Sequence, residues 1–224
     1  MCGRYVPPDV AALERAFHLG RAEWGGWVQH FNVAPTSLVP MVYSPGDGES
    51  IGALARWGLI PSWWKQDALP SFTFNARSEE AAVKPMWRSA LRHSRCLVPA
   101  LGWYEWRVEP AGKVPYYIHP LGSAGLYFAG LWSEWKNPAG ELQPSFAILT
   151  RAASPELAPL HNRMPVVLPP AAWDDWLAPW PDNHATRLAA QVAVSEGNFE
   201  YYPVSRYVNA PRNQGERCIE PAPL

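Results

Sequence analysis

Turn-forming residues interrupt this chain at short intervals. Its 224 residues include 25 prolines and 16 glycines, spread along the whole length. Proline cannot donate a backbone hydrogen bond and glycine weakens the interior of helices and strands, so the sequence predicts many short elements. Thirteen tryptophans provide material for a core, and disorder is therefore not expected. The length fits one domain better than two.

Segments with strand-like patterns outnumber segments with helical periodicity. Strands are predicted at 38–43, 51–59, 96–98, 103–108, 114–119, 126–132, 145–150, 166–168 and 199–204, and helices at 9–19, 78–83, 84–92, 170–177 and 183–192. The strands do not alternate regularly with the helices. This order favours a single α+β domain in which short helices flank a mixed or antiparallel, barrel-like sheet.

The net charge excludes a broadly cationic nucleic-acid-binding protein. Lysine and arginine number 19 against 20 acidic residues, which gives a formal charge of −1. Attraction to a polyanion must therefore come from a local surface. The clearest local concentration of positive charge is at 84–95, where Lys84, Arg88, Arg92 and Arg95 occur without an acidic residue.

The cysteines and the start of the chain predict the compartment. Cys2, Cys96 and Cys218 form no CxxC pair, and no apolar leader follows Met1. This pattern favours free thiols in a reducing compartment and argues against a zinc ribbon. No apolar segment approaches the roughly 20 residues of a membrane span. We therefore expect a cytoplasmic protein with no membrane contact, no metal ion and no cofactor.

Cys2 is a candidate nucleophile because of its position. A small second residue favours removal of Met1, which would leave a cysteine with a free α-amine. An α-amine has a pKa of about 7.7 to 8.0 and a thiol of about 8.5, so part of the amine is nucleophilic near neutral pH. Such an amine can attack an aldehyde to form a Schiff base, and the thiol can then close a five-membered thiazolidine ring. On position alone, a cysteine without a function is the commoner alternative.

Glu105 lies in the aromatic segment WYEW, on the strand face that also carries Trp103. A carboxyl group among aromatic rings has a raised pKa and can exchange protons near neutrality. The alternative is an edge-strand glutamate that pairs with Arg107.

Three further segments carry candidate side chains. Asn75 precedes a predicted helix start, so an N-cap role is its alternative. His161 lies in a segment that ends at Pro165, where a loop could bring side chains to a ligand, although structural histidines are commoner. The adjacent Trp63 and Trp64 cannot easily both face inward.

Several of these segments together resemble a known family. The segments are MCGR (1–4), NVAP (32–35), RWGLIP (56–61), NARSE (75–79), RCLVPA (95–100) with GWYEW (102–106), FAGLW (128–132) and HNRMP (161–165). In this order they resemble the SRAP family, first described as SOS-response-associated peptidases. The resemblance covers an SRAP-like domain at 1–209 and leaves 210–224 as a C-terminal tail.

The resemblance implies a monomeric protein that senses abasic sites in single-stranded DNA during the DNA damage response. It would shield the site through a covalent thiazolidine crosslink, with possible lyase or peptidase-like chemistry. Cys2 would be the nucleophile, Asn75 would orient the reacting group, and Glu105 and His161 would move protons. The DNA contacts would be Arg4, Arg77, Arg88 and Arg163 for the backbone and Pro40, Trp63 and Trp64 for the bases. In a bacterium the protein would associate with the nucleoid.

Two other function classes remain open. An N-terminal-cysteine peptidase or amidase would use Cys2 with its own amine as the base. A non-covalent single-strand binder would need the aromatic and arginine side chains but no thiol. Substitution of Cys2 discriminates between these classes, because simple binding would persist without the thiol.

Overall fold

A computed structural model describes residues 2–17, 19, 21–46, 49–110, 112–122, 125–180, 182–195 and 198–222. The strands are β1 (Tyr5–Val6), β2 (Arg21–Glu23), β3 (Leu38–Tyr43), β4 (Ile51–Trp57), β5 (Asn75–Arg77), β6 (Arg95–Ala100), β7 (Gly102–Glu109), β8 (Gly112–Pro120), β9 (Leu126–Lys136), β10 (Leu142–Ala152), β11 (Arg163–Pro165) and β12 (Phe199–Pro203). The helices are α1 (Val10–Ala16), α2 (Ser78–Ala81), α3 (Pro85–His93), α4 (Trp173–Leu177) and α5 (His184–Ala193), with 3-10 turns at Pro170–Ala172, Arg206–Asn209 and Glu216–Cys218.

Five strands close a barrel. β4 pairs with β3, β3 with β6, β6 with β9 and β9 with β10, all antiparallel. β10 then pairs with β4 in parallel and completes the ring. β5 continues the same edge of β10 beyond the end of β4. A second, antiparallel sheet has the order β1-β7-β8-β12. The prediction of a single α+β domain with a mixed, barrel-like sheet is confirmed.

Successive side chains of the barrel strands face two different hydrophobic cores. In β6, Cys96 and Val98 face the cluster inside the barrel, whereas Leu97 between them belongs to the cluster that the helices cover. A strand buried on both faces is apolar at nearly every position, as β6 is. The interior cluster also contains Trp57 and Phe128.

Two predicted elements differ from the structure. The helix predicted at 9–19 ends at Ala16, and Phe17 is already extended, while residues 18 and 20 lie outside the described residues. The strand predicted at 166–168 is reduced to an isolated antiparallel bridge between Val167 and Phe128 of β9. Val166 donates its N–H to Leu149 of β10 and accepts from Ala129 of β9 at 2.9 and 2.8 Å, and Leu168 donates to Tyr127 of β9 at 2.9 Å, so the chain passes from β10 to β9 here. The pairing strand is β11, three residues earlier.

The C-terminal segment 210–222 packs against the domain. The Gln214 side-chain oxygen accepts the backbone N–H groups of Phe31 and Asn32 at 2.9 and 3.1 Å. Cys218 is buried in a small cluster with Val6 and Tyr104. Within the described residues, the helices are too short or too polar to cross a membrane.

Candidate active site

Backbone pairing on two sides fixes the start of the chain. β1 pairs with β7, placing Tyr5 opposite Trp103. On the other side Tyr5 and Val33 exchange two backbone hydrogen bonds of 3.2 and 3.0 Å. Cys2 precedes this strand and is completely buried in the barrel cluster. The predicted nucleophile is therefore held by the framework and does not extend into solvent.

Asn75 holds the backbone of Cys2. Its side-chain Nδ2 donates to the Cys2 carbonyl oxygen at 2.7 Å. The contact joins two positions far apart in the chain, and the orienting role of Asn75 stays a prediction. The Asn75 Oδ1 atom is buried and has no hydrogen-bond partner within the described part of the chain. A buried acceptor of this kind is available to a donor on a ligand.

Glu105 is buried in β7, and only 4% of its surface is exposed. Burial raises the pKa of its carboxyl to about 7, while the charge of the amino terminus acts in the opposite direction. The alternative of a pair with Arg107 is wrong, because the guanidinium of Arg107 donates to Glu109 at 2.8 Å. Glu105 can therefore both donate and accept a proton near neutral pH.

The Cys2 thiol stays protonated in this environment. Burial is the main cause that raises its pKa well above the ordinary value, and the negative charge of Glu105 adds to the effect. The Cys2 Sγ lies 3.8 Å from the Arg4 carbonyl oxygen, to which it donates. A thiolate is consequently not the first nucleophile that this site offers.

His161 lies in the loop before β11, and Arg163 is the first residue of β11. The Arg163 backbone N–H donates to His161 Nδ1 at 3.0 Å. Burial lowers the pKa of His161, and the positive charges of the amino terminus and of Arg163 add to this. The histidine is therefore neutral at neutral pH. Nδ1 also lies 3.2 Å from the Arg163 carbonyl oxygen, and in the tautomer in which Nδ1 donates to that oxygen instead, Nε2 is free to accept a proton.

The Arg163 guanidinium is already engaged. It donates to both carboxylate oxygens of Glu79 at 2.7 and 2.9 Å, and to the Thr150 carbonyl at 2.6 Å. A phosphate at Arg163 would have to replace Glu79, whose pKa is lowered by the same hydrogen bond. Sequence reasoning missed the role of Glu79, since nothing in its spacing links it to residue 163.

The other predicted DNA contacts have different surroundings. Arg77 is exposed next to Asn75, and its nearest acid is Glu80 at 3.9 Å. Arg4 is half-buried and donates to the Asn32 side chain at 2.8 Å and to the carbonyl oxygens of Val208 and Asn209 at 3.0 and 3.3 Å. Pro40 is buried inside β3, where it exposes almost no surface on which a base could stack. The structure therefore argues against Pro40 as a base contact.

Trp63 and Trp64 lie in the loop between β4 and β5, and Arg88 lies on α3. Trp63 is 48% exposed, whereas Trp64 is half-buried and its indole donates to the Ala68 carbonyl at 3.0 Å. The expectation that both cannot face inward is confirmed. A groove of about 690 Å³ runs along α3, lined by Trp63, Arg88, Arg92 and His93 among others. We call it the α3 groove.

Tyr5 is a further polar group that the sequence did not indicate. Its ring lies in the barrel cluster, and its hydroxyl has no hydrogen-bond partner within the described part of the chain. Burial raises its pKa well above the ordinary value, so the hydroxyl keeps its proton. The only indication in the sequence that Tyr5 lies near the site was its position three residues after Cys2. As for metals, the described residues contain no group of three His, Cys, Asp or Glu side chains that could hold an ion.

Comparison with known proteins adds the following. The family model described as SOS response associated peptidase (SRAP) matches residues 1–211. A Bacillus subtilis protein named abasic site processing protein YoqW is 33% identical over 223 residues, which cover 98% of this chain and 99% of that protein. The Escherichia coli abasic site processing protein YedK is 32% identical over 195 residues, or 87% and 85% of the two chains. A crystal structure from Bordetella bronchiseptica matches with a TM-score of 0.76 and 27% identity, covering 91% of this chain and all of that one.

Proposed function

We propose, from the premise that this chain belongs to the SRAP family, that it processes abasic sites in single-stranded DNA by forming a covalent crosslink through Cys2. The observation that carries the proposal is one arrangement. A buried aminothiol residue is held by Asn75 at 2.7 Å, beside a carboxyl whose pKa is about 7. An abasic sugar in its open form is an aldehyde, which an aminothiol traps. The names of the curated relatives support the same substrate.

The amine attacks before the thiol. Removal of Met1 makes the Cys2 nitrogen an α-amine, which is partly neutral near physiological pH, whereas the thiol is kept protonated by burial. The amine nitrogen adds to the aldehyde carbon, and one of its protons moves to the former carbonyl oxygen. That oxygen takes a second proton from an acid and leaves as water, which gives an iminium. The thiol sulfur then attacks the same carbon and its proton passes to a base. The net reaction forms one C–N and one C–S bond and releases one water.

Two groups with different proton affinities suit these two steps. Glu105, with a pKa near 7, can protonate the departing oxygen. His161 is neutral because its pKa is lowered, so it can take the proton from the nitrogen or the sulfur. The buried Oδ1 of Asn75 is an acceptor for a hydroxyl of the opened sugar or for the amine.

The test is adduct formation with a single-stranded oligonucleotide that carries one abasic site, measured on a denaturing gel. Cys2→Ala should abolish the heat-stable adduct, and Cys2→Ser should give a weaker, reducible product, because an oxazolidine hydrolyses more readily. Cys218→Ser is the matched control, since Cys218 is also buried but lies in another cluster. Equal adduct yield from Cys2→Ala would overturn the proposal.

The substrate form is tested in the same assay. An abasic site inside a duplex should react more slowly, because exposed aromatic side chains such as Trp63 suit unstacked bases rather than a regular groove. Equal rates on the two substrates would contradict single-strand preference. Cleavage of a peptide substrate that requires Cys2, without DNA adducts, would favour the N-terminal-cysteine hydrolase instead.

A further inference from the structure

The loop 58–74, which connects β4 to β5, leaves and re-enters the barrel at one narrow place. We call this place the neck, and its residues are Thr36, Arg56, Gly58 and Phe72. The Leu59 N–H donates to the Thr73 carbonyl at 3.1 Å and closes the loop. The Thr36 N–H donates to the Trp57 carbonyl at 2.7 Å, which brings the turn before β3 to the same place.

Arg56 supplies an uncompensated positive charge at the neck. Its side chain is half-buried, and Nη1 donates to the Gly58 carbonyl at 2.7 Å. Within the described residues no carboxylate forms an ion pair with it, and burial alone lowers its pKa. A Cβ atom on Gly58 would lie 2.5 Å from Arg56 Nη1, so glycine at this position, with φ of 133°, leaves room for the guanidinium. Partly desolvated arginines without an acid are suited to a phosphate.

Phe72 supplies an exposed aromatic ring at the neck. The ring is 84% exposed, and its backbone has φ of 58°. Thr36 has φ of 79°, so two of the three described non-glycine residues with positive φ occur here. Bulky and β-branched residues rarely adopt this conformation, and such strain concentrates at functional sites. Neither the core nor a turn requirement explains a phenylalanine at this position.

We propose that the neck binds one nucleotide of the single strand next to the abasic site, with Arg56 on its phosphate and Phe72 stacked on its base. The inference rests on the proposed function, because it takes the ligand to be that strand. A phosphate and a flat base are the two features that a guanidinium and a free aromatic ring recognise together. A lipid headgroup would supply the phosphate but no flat ring for Phe72.

The neck lies within reach of the reacting group. Phe72 is three residues before Asn75, and three extended residues span at most about 11 Å. The connecting Phe74 is fixed at both sides, since its carbonyl accepts the Trp57 indole N–H and the Ile148 N–H, each at 2.9 Å. Asn75 in turn contacts Cys2. A strand whose abasic sugar meets Cys2 can thus place a neighbouring nucleotide at the neck.

The experiment measures binding of a strand that carries a tetrahydrofuran analogue of the abasic site, which has no aldehyde and cannot react. Arg56→Gln should reduce the slope of log affinity against log salt by about 0.7, the value for one lost phosphate contact on a single strand. Phe72→Gly should weaken binding by roughly 5- to 100-fold, as for one lost stacked base. Because glycine accepts positive φ, this variant should unfold at the same or a higher temperature.

Truncated strands identify the nucleotide. Three oligonucleotides carry the analogue with bases on both sides, only on the 5′ side, or only on the 3′ side. Both variants should lose affinity for the first strand and for one of the truncated strands, and behave as wild type on the other. Phe72→Trp and Arg56→Lys should restore most of the binding. The matched controls are Val108→Ala and Arg187→Gln, an exposed apolar side chain and an exposed arginine elsewhere.

The possible outcomes separate this inference from the proposed function. Wild-type affinity in both variants, or equal losses on all three strands, would overturn the nucleotide site at the neck. Absence of a covalent adduct with a natural abasic strand would instead overturn the crosslinking proposal. It would leave the binding result with the unreactive strand as a valid measurement of the neck.

Discussion

The site around Cys2 and the α3 groove place their polar groups in opposite environments. At the first, Asn75 and Glu105 are buried, and burial changes the pKa values of Cys2 and Glu105. At the second, Arg88 and Arg92 are exposed along one helix face. Buried groups with altered proton affinity serve chemistry, whereas exposed charges serve long-range attraction that salt screens. Substitutions at the two regions should therefore change different quantities.

The largest effect is expected at Glu105. Glu105→Gln removes the ionisable group but keeps its shape, and it should slow crosslink formation by roughly 100- to 10,000-fold, the typical contribution of a general acid–base group. Binding of the unreactive strand should stay at the wild-type level. Glu109→Gln is the control, since Glu109 lies on the same strand and bonds Arg107 instead. If wild type, Glu105→Gln and Glu109→Gln form the crosslink at rates within twofold of each other, Glu105 transfers no proton in the reaction.

The same residue should make folding stability depend on pH. The folded-state pKa of Glu105, about 7, lies above the ordinary 4.5, so the folded chain holds a proton that the unfolded chain releases. The stability from this group is present below about pH 4.5 and is lost as the pH rises through about 7. Denaturant unfolding of wild type against Glu105→Gln should show a difference that changes by about 3 kcal/mol over this range.

Glu79 provides the opposite case for that measurement. Its pKa is lowered by the hydrogen bond from Arg163, so its contribution to stability is present at higher pH and is lost as the pH falls through the lowered pKa. Glu79→Gln should therefore remove stability mainly above the ordinary carboxyl pKa. The change in unfolding free energy caused by Glu105→Gln and that caused by Glu79→Gln should vary with pH in opposite directions. The same direction in both would contradict burial as the cause of the Glu105 pKa shift and ion pairing as the cause of the Glu79 shift.

A smaller effect is expected at His161. His161→Ala should reduce the crosslinking rate about tenfold near neutral pH, because a neutral imidazole accepts protons there. The deficit should shrink toward about pH 5, where the wild-type imidazole is protonated as well. The lowered pKa of His161 moves this loss to lower pH than for an ordinary histidine. Rate profiles of wild type and variant that run parallel across the range would return His161 to a structural role.

The smallest effect is expected in the α3 groove. Arg88→Gln and Arg92→Gln should each weaken binding roughly twofold to fivefold at low salt and reduce the salt slope by about 0.7. The rate at saturating DNA should not change. Arg217→Gln is the control, because Arg217 lies over the Tyr207 ring on another part of the surface. If these variants change the crosslinking rate at saturating DNA and leave the dependence of binding on salt unchanged, the α3 groove does not act through long-range attraction as proposed.

The sequence predicted most of the fold and the polar residues nearest Cys2. Period-two alternation identified the barrel strands because their two faces pack against two different cores, as in β6. Alternation could not separate β11 from residues 166–168, since these residues are equally apolar and form only an isolated bridge with β9. The aromatic setting of Glu105 was visible in the sequence and explains its raised pKa.

Contacts between distant segments could not be predicted in the same way. Nothing in the sequence distinguishes Pro40 from an exposed proline. In the structure it is buried in β3, which has a hydrogen-bonded strand on either side. Arg163 was predicted to bind phosphate, and its ion pair with Glu79 depends on how α2 packs near β10. The segment 210–224 is predicted to be a tail because the family resemblance ends before it, but the Gln214 side chain within it accepts the backbone N–H of Asn32. Each of these depends on tertiary pairing that has no local signature.

The most direct test of the mechanism is the intact mass of the wild-type adduct with an abasic strand, recorded with and without borohydride. The mechanism predicts the mass of the chain without Met1 plus the strand minus one water. It also predicts that borohydride leaves this mass unchanged, because a thiazolidine has no imine to reduce. An adduct that retains Met1, or one that gains hydrogen on reduction at completion, would contradict closure of the ring by the Cys2 thiol.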